Sequence, residues 1–227
     1  MIFLNFLFPR YCLGCGQRGQ YFCSRCLTQL QILPQICPIC EQSSFSGQTH
    51  SFCQTKYGLD GLTSFYHFGG LVRQAIHKLK YRFVTDLASE FFSPLLREAE
   101  KQIGLSNFFK QYHPTIIPIP LHWRKENWRG FNQSAILGQA IAQKFDLPFS
   151  EKILLRPQAG ISQTKLTTLE RRKNVAKAFW VSPNHHLSIV HCLLIDDVWT
   201  TGATLKTAGN LLKHHGAQKV WALTIAR

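Results

Sequence analysis

The chain has 227 residues, enough for one large domain or for a main domain with a small appendage. Hydrophobic residues make up 45% and charged residues 17%, which excludes a disordered or low-complexity chain, and the scatter of the apolar positions excludes a coiled coil. Lys and Arg number 26 against 12 Asp and Glu, a net charge of +14, so the surface attracts polyanions: nucleic acid, anionic lipid or a phosphorylated small molecule.

Residues 1–8 are apolar, but they have no basic run before them, are broken by Asn5 and lack a small-residue cleavage site behind them. An exported disulfide framework is therefore not expected, and the protein reads as cytoplasmic and reduced. No apolar run approaches the roughly 20 residues that span a bilayer, so no transmembrane segment is expected.

Seven of the eight cysteines lie in the first 53 residues, six of them as C-x-x-C pairs. Cys12 and Cys15 are followed by Cys23 and Cys26, and four thiolates from two tight knuckles can close one tetrahedral ion. Cys37, Cys40 and Cys53 with His50 supply a second set of three sulfurs and one imidazole. Closed sets without a nearby acid or base describe structural zinc, with two sites expected. The bland alternative is a group of unrelated free or redox cysteines, and a surface histidine or a water could stand in for His50. Cys192, alone in an apolar run, reads as a small buried hydrophobe.

A compositional boundary near residues 56–58 divides a cysteine-rich unit, 1–56, from a unit spanning 57–227 in which strand-like and helix-like stretches alternate. That alternation predicts an α/β domain with a mainly parallel sheet flanked by helices. A strand is expected at 63–68, a helix at 71–81 and a second helix at 87–103 that Pro94 should kink or divide. A short strand at 115–119 leads through a polar loop to a helix at 132–145. Residues 156–178 are basic and weakly apolar, a long flexible loop with a short helix, the kind of segment that closes as a lid. The apolar run 189–196 is a strand buried on both faces, followed by a loop to 203, a helix at 204–215 ended by Gly216, and a last strand at 220–225.

The strand at 189–196 runs into Asp196, Asp197, Val198, Trp199, Thr200, Thr201, Gly202, Ala203 and Thr204. Ligands of such sheets bind at the carboxyl ends of strands, and small and hydroxyl residues opening a helix offer N–H groups and a positive terminus to a phosphate. Adjacent carboxylates would repel that phosphate, so they must face another part of the ligand, such as ribose hydroxyls or a bound magnesium. The bland alternative makes Asp197 a helix cap. Neither a Walker loop nor a G-x-G-x-x-G dinucleotide loop is present.

The run from Asp196 to Thr204 resembles the phosphoribosyl pyrophosphate (PRPP) motif of type I phosphoribosyltransferases. The resemblance implies that Asp196 and Asp197 face the ribose and that Thr200, Thr201, Gly202, Ala203 and Thr204 cradle the 5′-phosphate, with magnesium accompanying PRPP. Ala203 stands where most members have a second glycine, which is acceptable if that position needs no positive φ. The segments 117–122, 129–133, 163–166 and 170–175, with Ala178-Phe179 and the terminal Ala226-Arg227, are similar to the ComF/GntX family of competence-related proteins, double zinc ribbon included. The likeness implies that Arg124, Lys125 and Arg129 contact pyrophosphate and that Lys165, Arg171 and Arg172 sit on a mobile flap. The alternative for these basic residues is a solvated face or a nucleic-acid surface.

The family likeness implies a role in natural competence, handling internalised single-stranded DNA in the cytoplasm or at the inner face of the membrane, beside a translocation helicase. Basic residues interleaved with Trp123 and Trp128 suit backbone attraction with base stacking. Two other readings stand beside it: an active phosphoribosyltransferase on an unidentified nucleobase-like acceptor, and a zinc-ribbon adaptor for a DNA-translocation helicase. No base-reading pattern is recognisable in residues 57–103 or in the ribbon.

Overall fold

The computed structural model describes residues 9–81, 85–156, 178–183 and 191–227. Four strands form one wholly parallel sheet: β1 (Gly61–Tyr66), β2 (Thr115–Pro118), β5 (His191–Val198) and β6 (Lys219–Ala226), in the order β1-β6-β5-β2. A separate antiparallel pair, β3 (Leu154–Leu155) and β4 (Trp180–Val181), lies outside it. Strands buried on both faces need apolar residues on both, and β5 supplies them: Leu193 and Ile195 face one core, Cys192 and Leu194 the other. Burial pushes the Cys192 thiol up to about 12, as befits an inert core residue.

The first core is covered by α2 (Gly70–Tyr81), α3 (Thr85–Lys101), α4 (Ile103–Tyr112) and α6 (Gln133–Phe145). The second is covered by α7 (Ala203–His214) through Leu205, Ala208 and Leu212. Pro94 does not divide α3, which runs through it as one helix. Its buried stripe, Leu87, Phe91 and Leu95, holds both halves against the same core, which outweighs the hydrogen bond that proline removes. Helix α4, which periodicity did not reveal, packs Leu105, Phe108 and Phe109 inward. The polar segment after β2 is not a loop throughout: α5 (Trp123–Arg129) occupies it, started by the His122 side chain accepting from the Arg124 N–H and ended by Gly130 in the left-handed region. β5 also continues two residues past the expected end, so Asp197 and Val198 are strand residues.

The cysteine-rich unit is built onto this core. Residues 32–35 run beside β1: the Leu33 N–H donates to the Phe65 carbonyl, Gln35 exchanges hydrogen bonds with Ser64, and Ile32 bridges Tyr66. They cover an edge that would otherwise present unpaired backbone groups. Glu90 on α3 accepts from the Tyr21 and Phe22 N–H groups at 2.7 and 3.2 Å and pairs with Arg10, while Phe22 stacks on Phe91 at 5.1 Å. A short helix α1 (Ser24–Leu27) lies in this first knuckle. The terminal Arg227 reaches back to donate to the Pro34 carbonyl at 2.6 Å.

Candidate functional site

The eight predicted metal ligands gather into the two predicted groups, Cys12, Cys15, Cys23 and Cys26, then Cys37, Cys40, His50 and Cys53. Within each group the ligand atoms lie within 4.8 Å of one another. Burial acts to raise the Cys12 thiol, but N–H groups of Cys23, Cys15 and Gly14 outweigh it and hold the thiol down to about 6, favouring the thiolate that zinc requires. Burial likewise opposes ionisation of Cys37, and N–H groups of Cys40, His50 and Ile39 again prevail. His50 Nδ1 lies 3.4 Å from the Cys40 sulfur while its Nε2 lies 3.1 Å from the Ser43 carbonyl. A proton on Nε2, donated to that carbonyl, leaves Nδ1 free as a metal donor. Gly14 is obligatory at its knuckle, because a Cβ there would stand 2.7 Å from the Cys26 sulfur. Both sets fit structural zinc.

The second constellation lies at the carboxyl end of β5. The first turn of α6 is aimed at it by Asn132, whose side chain accepts from the Ser134 N–H and donates to the Ile119 carbonyl. Ser134 Oγ consequently donates to Asp196 Oδ1 at 3.3 Å and Gln133 Nε2 donates to Asp197 Oδ2 at 3.2 Å. Lys80, at the end of α2, pairs with Asp197 Oδ2 at 2.5 Å. Arg129 donates to Gln133 Oε1 at 3.2 Å, so a guanidinium, an amide and a carboxylate form one chain. Burial, followed by the neighbouring Asp197 charge, pushes Asp196 up to about 7 against the opposing help of the Asp197 N–H, Lys80 and Ser134.

Past this pair the loop turns into α7. Thr200, Thr201, Ala203 and Thr204 are exposed, and Gly202 is buried with φ +67°. A Cβ at Gly202 would meet the Trp199 ring at 2.1 Å, so this position is restricted twice over. Ala203 begins the helix with ordinary backbone angles, which is why alanine serves there. Lys206 ties the loop to the second zinc group: its ammonium donates to the Thr201 carbonyl at 3.2 Å, pairs with Glu41 at 3.1 Å and lies 5.1 Å over Trp199.

The structure thus brings Asp196, Asp197 and Arg129 into one bonded group beside the loop 200–204. Arg124 is exposed on α5. Lys165, Arg171 and Arg172 lie outside the described residues, as does the Lys125 side chain. Sequence reasoning missed Lys80, Gln133 and Ser134 as site residues. The last two directly follow the helix-capping Asn132, a usable signal; Lys80 is one cation on an amphipathic helix and carries none.

The double zinc ribbon family matches residues 3–55 and the phosphoribosyl transferase domain family matches residues 132–227. The chain is 25% identical over 222 residues to "Competence protein F" of Haemophilus influenzae, covering 95% of this chain and 90% of that one. It is 24% identical over 217 residues to "Competence protein ComFC" of Bacillus subtilis, covering 90% and 83%. It is 32% identical over 155 residues to "DNA utilization protein YhgH" of Salmonella typhimurium, a match spanning 65% of this chain and 64% of the relative. The fold is therefore a phosphoribosyltransferase-type parallel sheet with a double zinc ribbon attached. These matches support a ComF-like protein.

Two measurements test this geometry. Metal analysis of the protein purified without chelator should give two zinc ions per chain, and His50→Ala should release one of them at a chelator concentration that leaves the other bound. In metal-free and ligand-free buffer, Asp196 prefers its proton in the folded state. Its contribution to stability is full below the unfolded carboxylate range near 4 and is lost as pH rises through about 7. Asp196→Asn, which resembles the protonated form, should therefore stabilise the protein by up to about 4 kcal/mol at pH 8 and by about half that near pH 5.5, read from thermal unfolding.

Proposed function

We propose that this protein binds PRPP with magnesium at the carboxyl end of β5 and works in DNA uptake as a cytoplasmic partner of incoming single-stranded DNA. The observation that carries the first half is the juxtaposition of a paired-carboxylate strand end with an exposed Thr-Thr-Gly-Ala-Thr helix entry. In this reading Thr200, Thr201, Gly202, Ala203 and Thr204 hold the 5′-phosphate, whose charge suits the start of α7. Asp196 and Asp197 accept from the ribose hydroxyls, with Gln133 and Ser134 fixing their orientation. Arg129, anchored to Gln133, and Arg124 with Lys125 face the pyrophosphate and stabilise the charge that develops on it. A magnesium ion carried with PRPP would be held through the same two carboxylates and would supply further neutralisation of the diphosphate. Lys80 pairs with Asp197, so a magnesium ion held at that carboxylate would compete with the ammonium.

Magnesium with PRPP should raise Tm by roughly 5 °C or more at 100-fold excess over Kd. Asp196→Asn combined with Asp197→Asn should abolish the shift while the protein still unfolds cooperatively. No shift in the parent protein would overturn the phosphoribosyl reading.

The DNA half rests on the charge of +14, on Trp128, 68% exposed on the basic helix α5, and on relatives named for competence and DNA utilization. A translocation helicase of the same pathway is the protein partner this reading implies, reached at the inner face of the membrane. Among the described residues no helix is long and apolar enough to cross a membrane. Binding of an unstructured single strand should weaken by at least tenfold between about 50 and 200 mM salt, and Trp128→Ala should weaken it further at both. Binding that ignores salt would exclude a backbone-reading surface.

A further inference from the structure

The two zinc knuckles make the same turn with different residues. In each, the N–H that follows the second cysteine of the pair donates to the carbonyl of the first at 2.9 Å, Gly16 to Cys12 and Glu41 to Cys37. The N–H of the first cysteine donates to the carbonyl two residues past the second, Cys12 to Gln17 and Cys37 to Gln42. Both turn positions lie in the left-handed region, at φ +76° for Gly16 and +61° for Glu41. Glycine adopts that conformation without a Cβ clash, whereas a glutamate is strained there. The first knuckle thus carries the residue its backbone favours, and what recommends Glu41 in the second is its side chain.

That side chain ends on Lys206. The ammonium meets three groups from one position: Glu41 Oε1 at 3.1 Å, the Thr201 carbonyl at 3.2 Å and the Trp199 ring at 5.1 Å. Trp199 is buried, and Gly202 packs against its ring. In a trans peptide the carbonyl and the following N–H point opposite ways, and the described residues contain no cis peptide. With the Thr201 carbonyl drawn to the ammonium, the Gly202 N–H is turned to the other side. Gly202 is buried, and its N–H donates to no group among the described residues. A reversed Thr201–Gly202 peptide would replace that donor with a carbonyl oxygen and repel an anion.

We propose that Lys206 is a positioning residue for the phosphate loop, holding the Thr201–Gly202 peptide with its N–H available to a phosphomonoester, and that Glu41 makes the second zinc knuckle its brace. The proposal rests on the PRPP reading above. The ammonium acts through the Thr201 carbonyl and Glu41 acts through the ammonium, so the effect belongs to the 5′-phosphate end of the ligand. The diphosphate end, served in that reading by Arg124, Lys125 and Arg129, is left unaffected.

The test is isothermal titration of the full zinc-loaded chain with PRPP, ribose 5-phosphate and diphosphate, each with magnesium. Lys206→Met should weaken PRPP and ribose 5-phosphate binding about tenfold and leave diphosphate binding unchanged. Lys206→Arg, which keeps donors for both the carboxylate and the carbonyl, should restore affinity to within about threefold of the parent. Glu41→Gly gives the turn the residue it favours, so Tm should hold or rise while ribose 5-phosphate binding weakens about threefold. Combined with Lys206→Met it should cost nothing further, since both act through one carbonyl. Ribose 5-phosphate binding indifferent to Lys206→Met, an equal loss for diphosphate, or undiminished binding in Glu41→Gly overturns the positioning role and leaves the phosphoribosyl reading standing. A parent protein that binds neither PRPP nor ribose 5-phosphate overturns that reading and the role of Lys206 with it.

Discussion

Two adjacent carboxylates at the end of a strand buried on both faces are the constraint around which this protein is arranged. Asp196 and Asp197 cannot both be charged and solvent-poor without partners, since like charges in a poorly solvated site repel strongly. Partners come from three distant parts of the chain: Lys80 from α2, Gln133 and Ser134 from the first turn of α6, and Arg129 through Gln133 from α5. Each is delivered by an element whose own placement depends on the core. The hooks are specific, for Asn132 bonds both to its own helix and to the Ile119 carbonyl beyond β2.

The zinc ribbon belongs to the same mechanical unit. Its first knuckle is held by Glu90 and the Phe22–Phe91 stack, and its connecting residues pair with β1 through Leu33 and Gln35. Its second knuckle ends in Glu41, a residue at φ +61° directly after Cys40, and the Glu41 carboxylate pairs with the lysine that braces the Thr201 carbonyl. A metal ligand set and the helix entry at Gly202 are thus joined by one carboxylate and one ammonium. Closed sets of four donors make poor catalysts, and here they give a small, loop-rich segment the rigidity that its core cannot supply.

Local pattern alone made much of this molecule legible. Ligand spacing revealed both zinc sets because two thiolates from one tight knuckle must be close in sequence, and the geometry confirms all eight positions as neighbours. The apolar run of β5 announced a strand covered on both sides. Helices α4 and α5 were less legible, α5 because seven residues of polar, aromatic and basic type show no periodic face until His122 and Gly130 cap them. Of the two outcomes that Pro94 allowed, a kink or a division, packing on both sides of it excludes the division and keeps α3 whole.

The sequence by itself determined the parallel α/β class, the two metal sets and the strand-end carboxylates with their hydroxyl-rich loop. All of these arise from residues within a few positions of one another, where backbone geometry dictates neighbourhood. Only the tertiary structure decided that Lys80 covers Asp197, that Glu41 reaches Lys206, and that Glu90 holds the first zinc knuckle. Those pairings join residues far apart in the chain, and their meeting depends on strand order and helix packing, which no local periodicity encodes. Part of the charge of +14 likewise acquired an address: Arg129 and Lys80 are committed to the carboxylate cluster, and Arg25 and Arg124 lie exposed on the surface.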